Sequence, residues 1–94
     1  MTNEHLSAIL AEADAKVGSG GWSAMDGDRT LTLYVASGNA SLNVSRVEAV
    51  RREGDLLFAR SQRGEVFVLA LEDVYAGSVE ASKATARTAG FGSR

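Results

Sequence analysis

The sequence predicts a mainly β domain with one N-terminal α-helix, built as a small five-stranded antiparallel barrel. Three observations support this fold: apolar residues recur every three to four positions near the N-terminus, they alternate with polar residues from residue 29 onward, and short turn-forming segments separate the alternating runs. The 94 residues suffice for one domain, which we place at residues 1–80, followed by a disordered basic tail at residues 81–94.

An amphipathic α-helix is predicted from Glu4 to Val17. Asn3 suits the N-cap, and Gly18 is a natural stop after the last turn. Because a helix of this length is marginally stable alone, we expect its apolar side to dock on the sheet. The residues of this apolar stripe are Leu6, Ile9, Leu10, Ala13 and Val17.

A glycine-rich loop is predicted at residues 18–28, followed by a first strand that begins at Arg29. Gly38-Asn39 suits a type II′ hairpin turn, because this turn needs glycine at its first central position. In the second strand, the alternation of apolar residues slips by one near Ser45-Arg46. Such a slip predicts a β-bulge, which bends a long strand and lets its two halves join different parts of a barrel.

The remaining strands are predicted to continue as an antiparallel meander. Strand three covers Leu56–Ser61, strand four covers Glu65–Leu71, and strand five covers Tyr75–Glu80 after a single turn. The short connections favour pairing between neighbouring strands. Strand four is apolar on both faces, which predicts a central strand covered on two sides.

The composition argues against several classes of function. The chain has no cysteine and a single histidine, His5, so it lacks the residues for a thiolate nucleophile, a zinc–thiolate site or a histidine-based triad with a well-placed carboxylate. We therefore expect no enzymatic activity and no cofactor. No apolar run approaches the roughly 18–20 residues that a membrane helix needs, and no secretory signal is recognisable. We expect a cytoplasmic protein without a membrane partner.

Charge is unevenly distributed along the chain. Residues 1–80 carry seven basic and twelve acidic residues, a net charge of −5, whereas residues 81–94 carry three basic residues and no acid. An acidic body repels a phosphate backbone, so nucleic-acid binding is the disfavoured alternative. This alternative would use the basic tail together with arginines of the middle strands that are interleaved with acidic residues: Arg46, Arg51, Arg52, Arg60 and Arg63.

Three segments resemble the Sm-like type of small SH3-like barrel. They are Leu31–Gly38, Gly54–Phe58 and Glu65–Tyr75. The resemblance implies homo-oligomeric rings, in which the edges of strands four and five pair between neighbouring copies. It also implies RNA binding, but bacterial Sm-like RNA chaperones carry a Lys-His pair between their last two strands, where this chain has Leu71-Glu72-Asp73. The charge is reversed, so the family's RNA site is not matched.

We expect a non-enzymatic protein-binding or assembly module that self-associates through its sheet edges. A homo-oligomer is predicted, with a protein or peptide as a further partner. Large or adaptable side chains are favoured at contact sites, although Trp22 has the alternative role of plugging one end of the barrel. The predicted partner-binding residues are Trp22, Met25, Phe67, Leu69 and Tyr75.

Overall fold

A computed structural model describes residues 1–81 as a mainly β fold with one N-terminal helix and a curled antiparallel sheet. The predicted fold class is confirmed, but the sheet has seven strands within the described residues rather than five. The predicted disordered tail, residues 81–94, lies outside the described residues from position 82 onward. The elements are α1 (Asn3–Glu12), β1 (Lys16–Val17), β2 (Ser23–Ala24), β3 (Arg29–Ser37), β4 (Ala40–Glu53), β5 (Leu56–Ser61), β6 (Val66–Ala70) and β7 (Val74–Ala81).

The two additional strands, β1 and β2, have two residues each and flank the glycine-rich turn at Ser19–Gly21. β1 pairs with β2, and β2 pairs with β4 through Ser23 and Ala24. A two-residue strand carries no alternation of apolar and polar residues, so the sequence pattern did not predict these strands.

β4 connects the two halves of the sheet. Its N-terminal half pairs with β3, and its C-terminal half pairs with β2 and β5. Leu31 faces Val47 while Leu33 faces Val44, so β4 has one residue more than β3 at this point. Arg46 lies within this stretch and has a φ of 56°. The β-bulge predicted near Ser45-Arg46 is therefore confirmed, and β4 changes its partner strands across it.

The β3–β4 hairpin closes through the two residues Gly38 and Asn39, because Ser37 pairs with Ala40. Gly38 has a φ of 61°, whereas Asn39 is not among the non-glycine residues with positive φ. A positive φ at the first central position alone defines the type II′ turn, as the sequence predicts.

The helix differs from the prediction at both ends. Thr2, not Asn3, is the N-cap, and its Oγ1 accepts a hydrogen bond from the backbone N–H of His5 at 3.0 Å. The helix ends at Glu12 rather than Val17, since Asp14 has a left-handed φ of 50° and the chain then enters β1. No helix among residues 1–81 has the length and apolar character needed to cross a membrane.

The apolar side of α1 docks on the sheet, as predicted, and Leu6 and Ile9 join the buried core. The helix runs alongside β7. Ile9 packs against Gly77, and Asp14 forms an ion pair of 2.7 Å with Arg29, whose strand partner is Ala81. The largest fully buried side chains all come from the strands and are Leu31, Leu33, Leu57, Val44, Val47, Val50 and Val74.

β6 and β7 lie at margins of the sheet. Among the described residues, β6 pairs only with β5, and β7 pairs only with β3. The prediction that the fourth strand is central and covered on both sides is therefore wrong. Leu69 is buried in the core, whereas Val66 and Val68 are exposed on the opposite face. The strand is apolar at every position because one face packs on the core and the other is an uncovered apolar surface.

Candidate functional site

Within residues 1–81, the outer edge of β6 has no strand partner, and its backbone groups are unpaired there. The backbone N–H of Ser61 donates to the C=O of Glu65, and the N–H of Leu71 donates to the C=O of Asp55, both at 2.8 Å. In an antiparallel pair, hydrogen-bonded and non-hydrogen-bonded positions alternate. Positions 65, 67, 69 and 71 therefore bond to β5. The backbone N–H and C=O groups of Val66, Val68 and Ala70 point away from β5, toward the free edge.

The outer face of β6 is apolar. The side chains of Val66 and Val68 are 50% and 56% exposed, and Leu56 of β5 is exposed beside them, opposite Ala70. Edge strands are usually protected by charged residues, proline or a bulge, but the sequence of β6 is Val-Phe-Val-Leu-Ala. We call the exposed set Leu56, Val66 and Val68 the β6 patch. It combines an apolar surface with a free hydrogen-bonding edge.

An arginine–aromatic stack adjoins the β6 patch. The guanidinium of Arg51 lies 4.2 Å from the ring centre of Phe58 and 5.4 Å from that of Trp22, and Arg60 lies 4.9 Å from Trp22. Phe58 is directly opposite Val68 in the β5–β6 ladder, so the two side chains share a face. The stack consists of Trp22, Arg51, Phe58 and Arg60.

Both arginines of this stack also contact carboxylates. The Nε of Arg60 lies 3.1 Å from Glu48, and Nη1 of Arg51 lies 3.5 Å from Glu53. These ion pairs are partly exposed, so their contribution to stability is small. They nevertheless offset the positive charge of the stack, which leaves this surface less attractive to a phosphate backbone.

The five arginines predicted for nucleic-acid binding are divided among three places. Arg51 and Arg60 belong to the stack. Arg52 donates hydrogen bonds to Asn3 Oδ1 at 3.0 Å and to the Gly54 carbonyl at 3.1 Å, near the start of α1. Arg46 and Arg63 line a separate hollow at the bend of β4. The structure does not bring the five side chains together in one basic surface.

The predicted partner-binding residues also occupy different environments. Met25 and Leu69 are buried in the core, and Phe67 is half-buried and packs against it. Trp22 is half-buried outside the core cluster, in the stack described above. Tyr75 is 60% exposed, with its ring centre 6.3 Å from that of Tyr34. Tyr75 is thus the most exposed of the five residues.

Val66 and Val68 are not among the residues predicted for partner binding, although both lie in the segment predicted to pair between copies. The signal that singles them out is their alternation with Phe67 and Leu69. That alternation shows that two apolar faces exist. It does not show which of them the protein itself covers, because a strand between two layers has the same pattern.

Within residues 1–81, no group of three or more His, Asp or Glu side chains is arranged to hold a metal ion. Comparisons with protein-family models, curated proteins and solved structures find no match to this chain. We therefore infer function from the surfaces of this protein itself.

Proposed function

We propose that this protein is a non-enzymatic assembly or protein-binding module that associates with copies of itself through the edge of β6. One observation carries the proposal: an apolar edge strand without charged residues presents the free backbone groups of Val66, Val68 and Ala70. Such an edge is a template for adding a strand from another chain.

A strand paired at this edge would complete the backbone hydrogen bonds of β6 and would also remove apolar surface from water. A strand added beside β6 accepts and donates the hydrogen bonds that Val66 and Val68 otherwise exchange with water. Side chains on the outer face of the added strand would cover part of the β6 patch. Burial of a full valine or leucine side chain stabilises by about 1.5–3 kcal/mol, so several partly covered residues supply a useful driving force.

We further propose that the protein is an Sm-like barrel, and the strand order supports this. β3 to β6 form a meander, and β7 returns to pair with β3, which leaves β6 and β7 at margins of the sheet. In a ring, β6 of one copy would pair with β7 of the next, over Tyr75–Val79. In a two-fold dimer, β6 would pair with its own equivalent.

The proposal is tested by measuring native mass at micromolar concentration, by light scattering and native mass spectrometry. We expect the wild-type protein to exceed its chain mass of 9.9 kDa. Val68→Pro removes a backbone N–H that points toward the free edge and not into the β5 ladder, so it should yield monomers while the sheet remains folded. Val68→Lys should do the same by placing a charge on the edge.

A matched control is Leu42→Lys, which changes another exposed apolar residue of the sheet, at the β3–β4 hairpin. It should leave the native mass unchanged. Circular dichroism of each variant verifies that the fold persists. A wild-type protein that remains a 9.9 kDa monomer at these concentrations contradicts the proposal.

The alternative, a nucleic-acid-binding protein that uses Arg46, Arg51, Arg52, Arg60 and Arg63, has less support. These side chains are dispersed, and two of them contact carboxylates. Salt-dependent retention of labelled RNA would favour this alternative, because phosphate contacts weaken steeply with ionic strength. Association through an apolar edge lacks that dependence.

A further inference from the structure

We propose that the hollow between Arg46 and Arg63 binds a small organic anion, with its carboxylate or phosphate between the two guanidinium groups and its apolar part over Phe67. The hollow has a volume of about 200 Å³ and lies where β4 bends beside the β5–β6 turn. This site does not depend on the proposed self-association. Phe67 alternates with Val66 and Val68 and so faces away from the β6 patch.

The charges of the hollow are incompletely paired. Arg29, Arg51 and Arg60 each form an ion pair, but neither Arg46 nor Arg63 does so with another residue in the described part of the chain. Glu65 also lines the hollow and supplies one negative charge against two positive ones. The net positive charge attracts an anion, and guanidinium groups bind carboxylates and phosphates through two parallel hydrogen bonds.

The conformation of Arg46 points to a role for its side chain. Its φ of 56° is left-handed, a region that side chains other than glycine, asparagine and aspartate rarely adopt. The surrounding structure holds this conformation, because the bulge passes through it and the carbonyl of Arg46 accepts a hydrogen bond from the N–H of Gln62 at 2.9 Å. Glycine would fit the backbone without strain, so an arginine at this position is consistent with a function for its guanidinium.

Ser61 provides a further donor at the hollow. Its side chain is polar and the residue is 3% exposed, and its Oγ accepts a hydrogen bond from the N–H of Arg63 at 3.2 Å. Within residues 1–81, no acceptor is bonded to the hydroxyl hydrogen of Ser61. A buried donor gains most from a partner, and an anionic oxygen in the hollow would supply one.

The apolar part of the lining selects the class of anion. Phe67, which is half-buried, contributes apolar surface beside the polar donors. An inorganic ion would leave this surface uncovered, whereas a ring or short aliphatic chain attached to the anionic group would cover it. We therefore expect aromatic carboxylates and phosphate monoesters to bind more tightly than inorganic phosphate.

The test is a titration of the full ¹⁵N-labelled protein, followed by amide chemical shifts, with benzoate, phenyl phosphate, inorganic phosphate and neutral benzyl alcohol as probes. We expect saturable shifts at the amides of Arg46, Ser61 and Arg63 with the two aromatic anions at concentrations up to about 10 mM. Inorganic phosphate should bind more weakly, and benzyl alcohol should leave these amides unchanged.

Three variants identify the charges responsible. Arg46→Gly keeps the left-handed backbone and removes the guanidinium, so it should weaken phenyl phosphate binding about tenfold. Arg63→Gln should have a similar effect. Glu65→Gln removes the opposing charge and should strengthen binding about threefold. The control, Arg52→Gln, removes the same charge outside the hollow and should leave binding unchanged.

The opposite signs for Arg63→Gln and Glu65→Gln separate a specific site from general attraction to a cationic surface. Equal weakening by Arg52→Gln, binding of benzyl alcohol as strong as that of benzoate, or no saturable shift at the lining amides would overturn the proposal. The melting midpoint of each variant verifies folding. The native mass measured with Val68→Pro reports on self-association separately, so failure of one proposal is distinguishable from failure of the other.

Discussion

Gly77 of β7 lies so close to Ile9 of α1 that a Cβ atom at position 77 would be 2.9 Å from Ile9 Cδ1. The same Cβ would be 3.4 Å from Leu33 Cδ2. The φ of Gly77 is not in the left-handed region, so the backbone does not require glycine here. The helix requires it, because the absence of a side chain lets α1 approach the sheet.

Replacement of Gly77 by valine should lower the free energy of unfolding by about 1–3 kcal/mol, since the added methyl groups overpack the helix–sheet contact. Gly77→Ala should lower the free energy of unfolding by less, because the end of the Ile9 side chain can shift. Alanine also restricts the unfolded chain, and this effect alone stabilises the protein by about 0.4–1 kcal/mol. Urea unfolding followed by circular dichroism measures both. A valine variant as stable as wild type would show that the helix is not held at this distance.

A double-mutant cycle tests the same contact from the other side. Ile9→Val removes the Cδ1 atom and should cost about 0.5–1.5 kcal/mol alone. In the Gly77→Ala background the cost should be smaller by about 0.5 kcal/mol or more, because the lost atom makes room for the new Cβ. Strictly additive effects on the free energy of unfolding would contradict direct contact between these positions.

At the bulge in β4, Arg46→Gly should be more stable than Arg46→Ala by about 1 kcal/mol. Both variants remove the guanidinium, but only glycine adopts a left-handed φ without strain. The strain energy that glycine avoids exceeds the extra entropic cost of ordering glycine on folding. Thermal and urea unfolding of the two variants measure the difference. An alanine variant of equal or higher stability would mean that residue 46 does not keep its left-handed conformation in solution.

Trp22 reports on the arginine–aromatic stack, because it is the one tryptophan in the chain. Arg51→Gln removes the cation between Trp22 and Phe58 and should cost about 0.5–1 kcal/mol of stability. It should also increase quenching of Trp22 fluorescence by acrylamide, since one side of the ring loses its cover. Arg52→Gln is the control for charge and should leave Trp22 quenching unchanged. Equal quenching in both variants would contradict the stack.

Much of the fold could be predicted because single residues identify local geometry. The slip in alternation near Arg46 located the bulge, and Gly38 located the hairpin turn and its type. The end of the helix was harder to predict, because Val17 continues the helical spacing although the helix has already ended before Asp14. Periodicity records which side chains are apolar, and it does not record where the backbone changes direction.

The candidate site was harder to predict for a related reason. The sequence indicates that β6 has two apolar faces, but its position at a margin depends on which strand pairs with β3. That partner is β7, whose paired residues lie 39 to 52 positions further along the chain. The arginines illustrate the same limit. Arg51 and Arg52 are adjacent in sequence, yet one stacks between aromatic rings while the other contacts the start of the helix.

The alignment of α1 with β7 joins the two ends of the described chain. Hairpins β3–β4, β4–β5 and β5–β6 link neighbouring segments and can form in a nascent chain as it leaves the ribosome. The helix can dock only after β7 has emerged, because Ile9 packs against Gly77 of that strand. Until then, both the apolar side of the helix and the β3 edge are uncovered. The interval before β7 emerges is therefore the period in which these two uncovered surfaces are most open to non-native pairing.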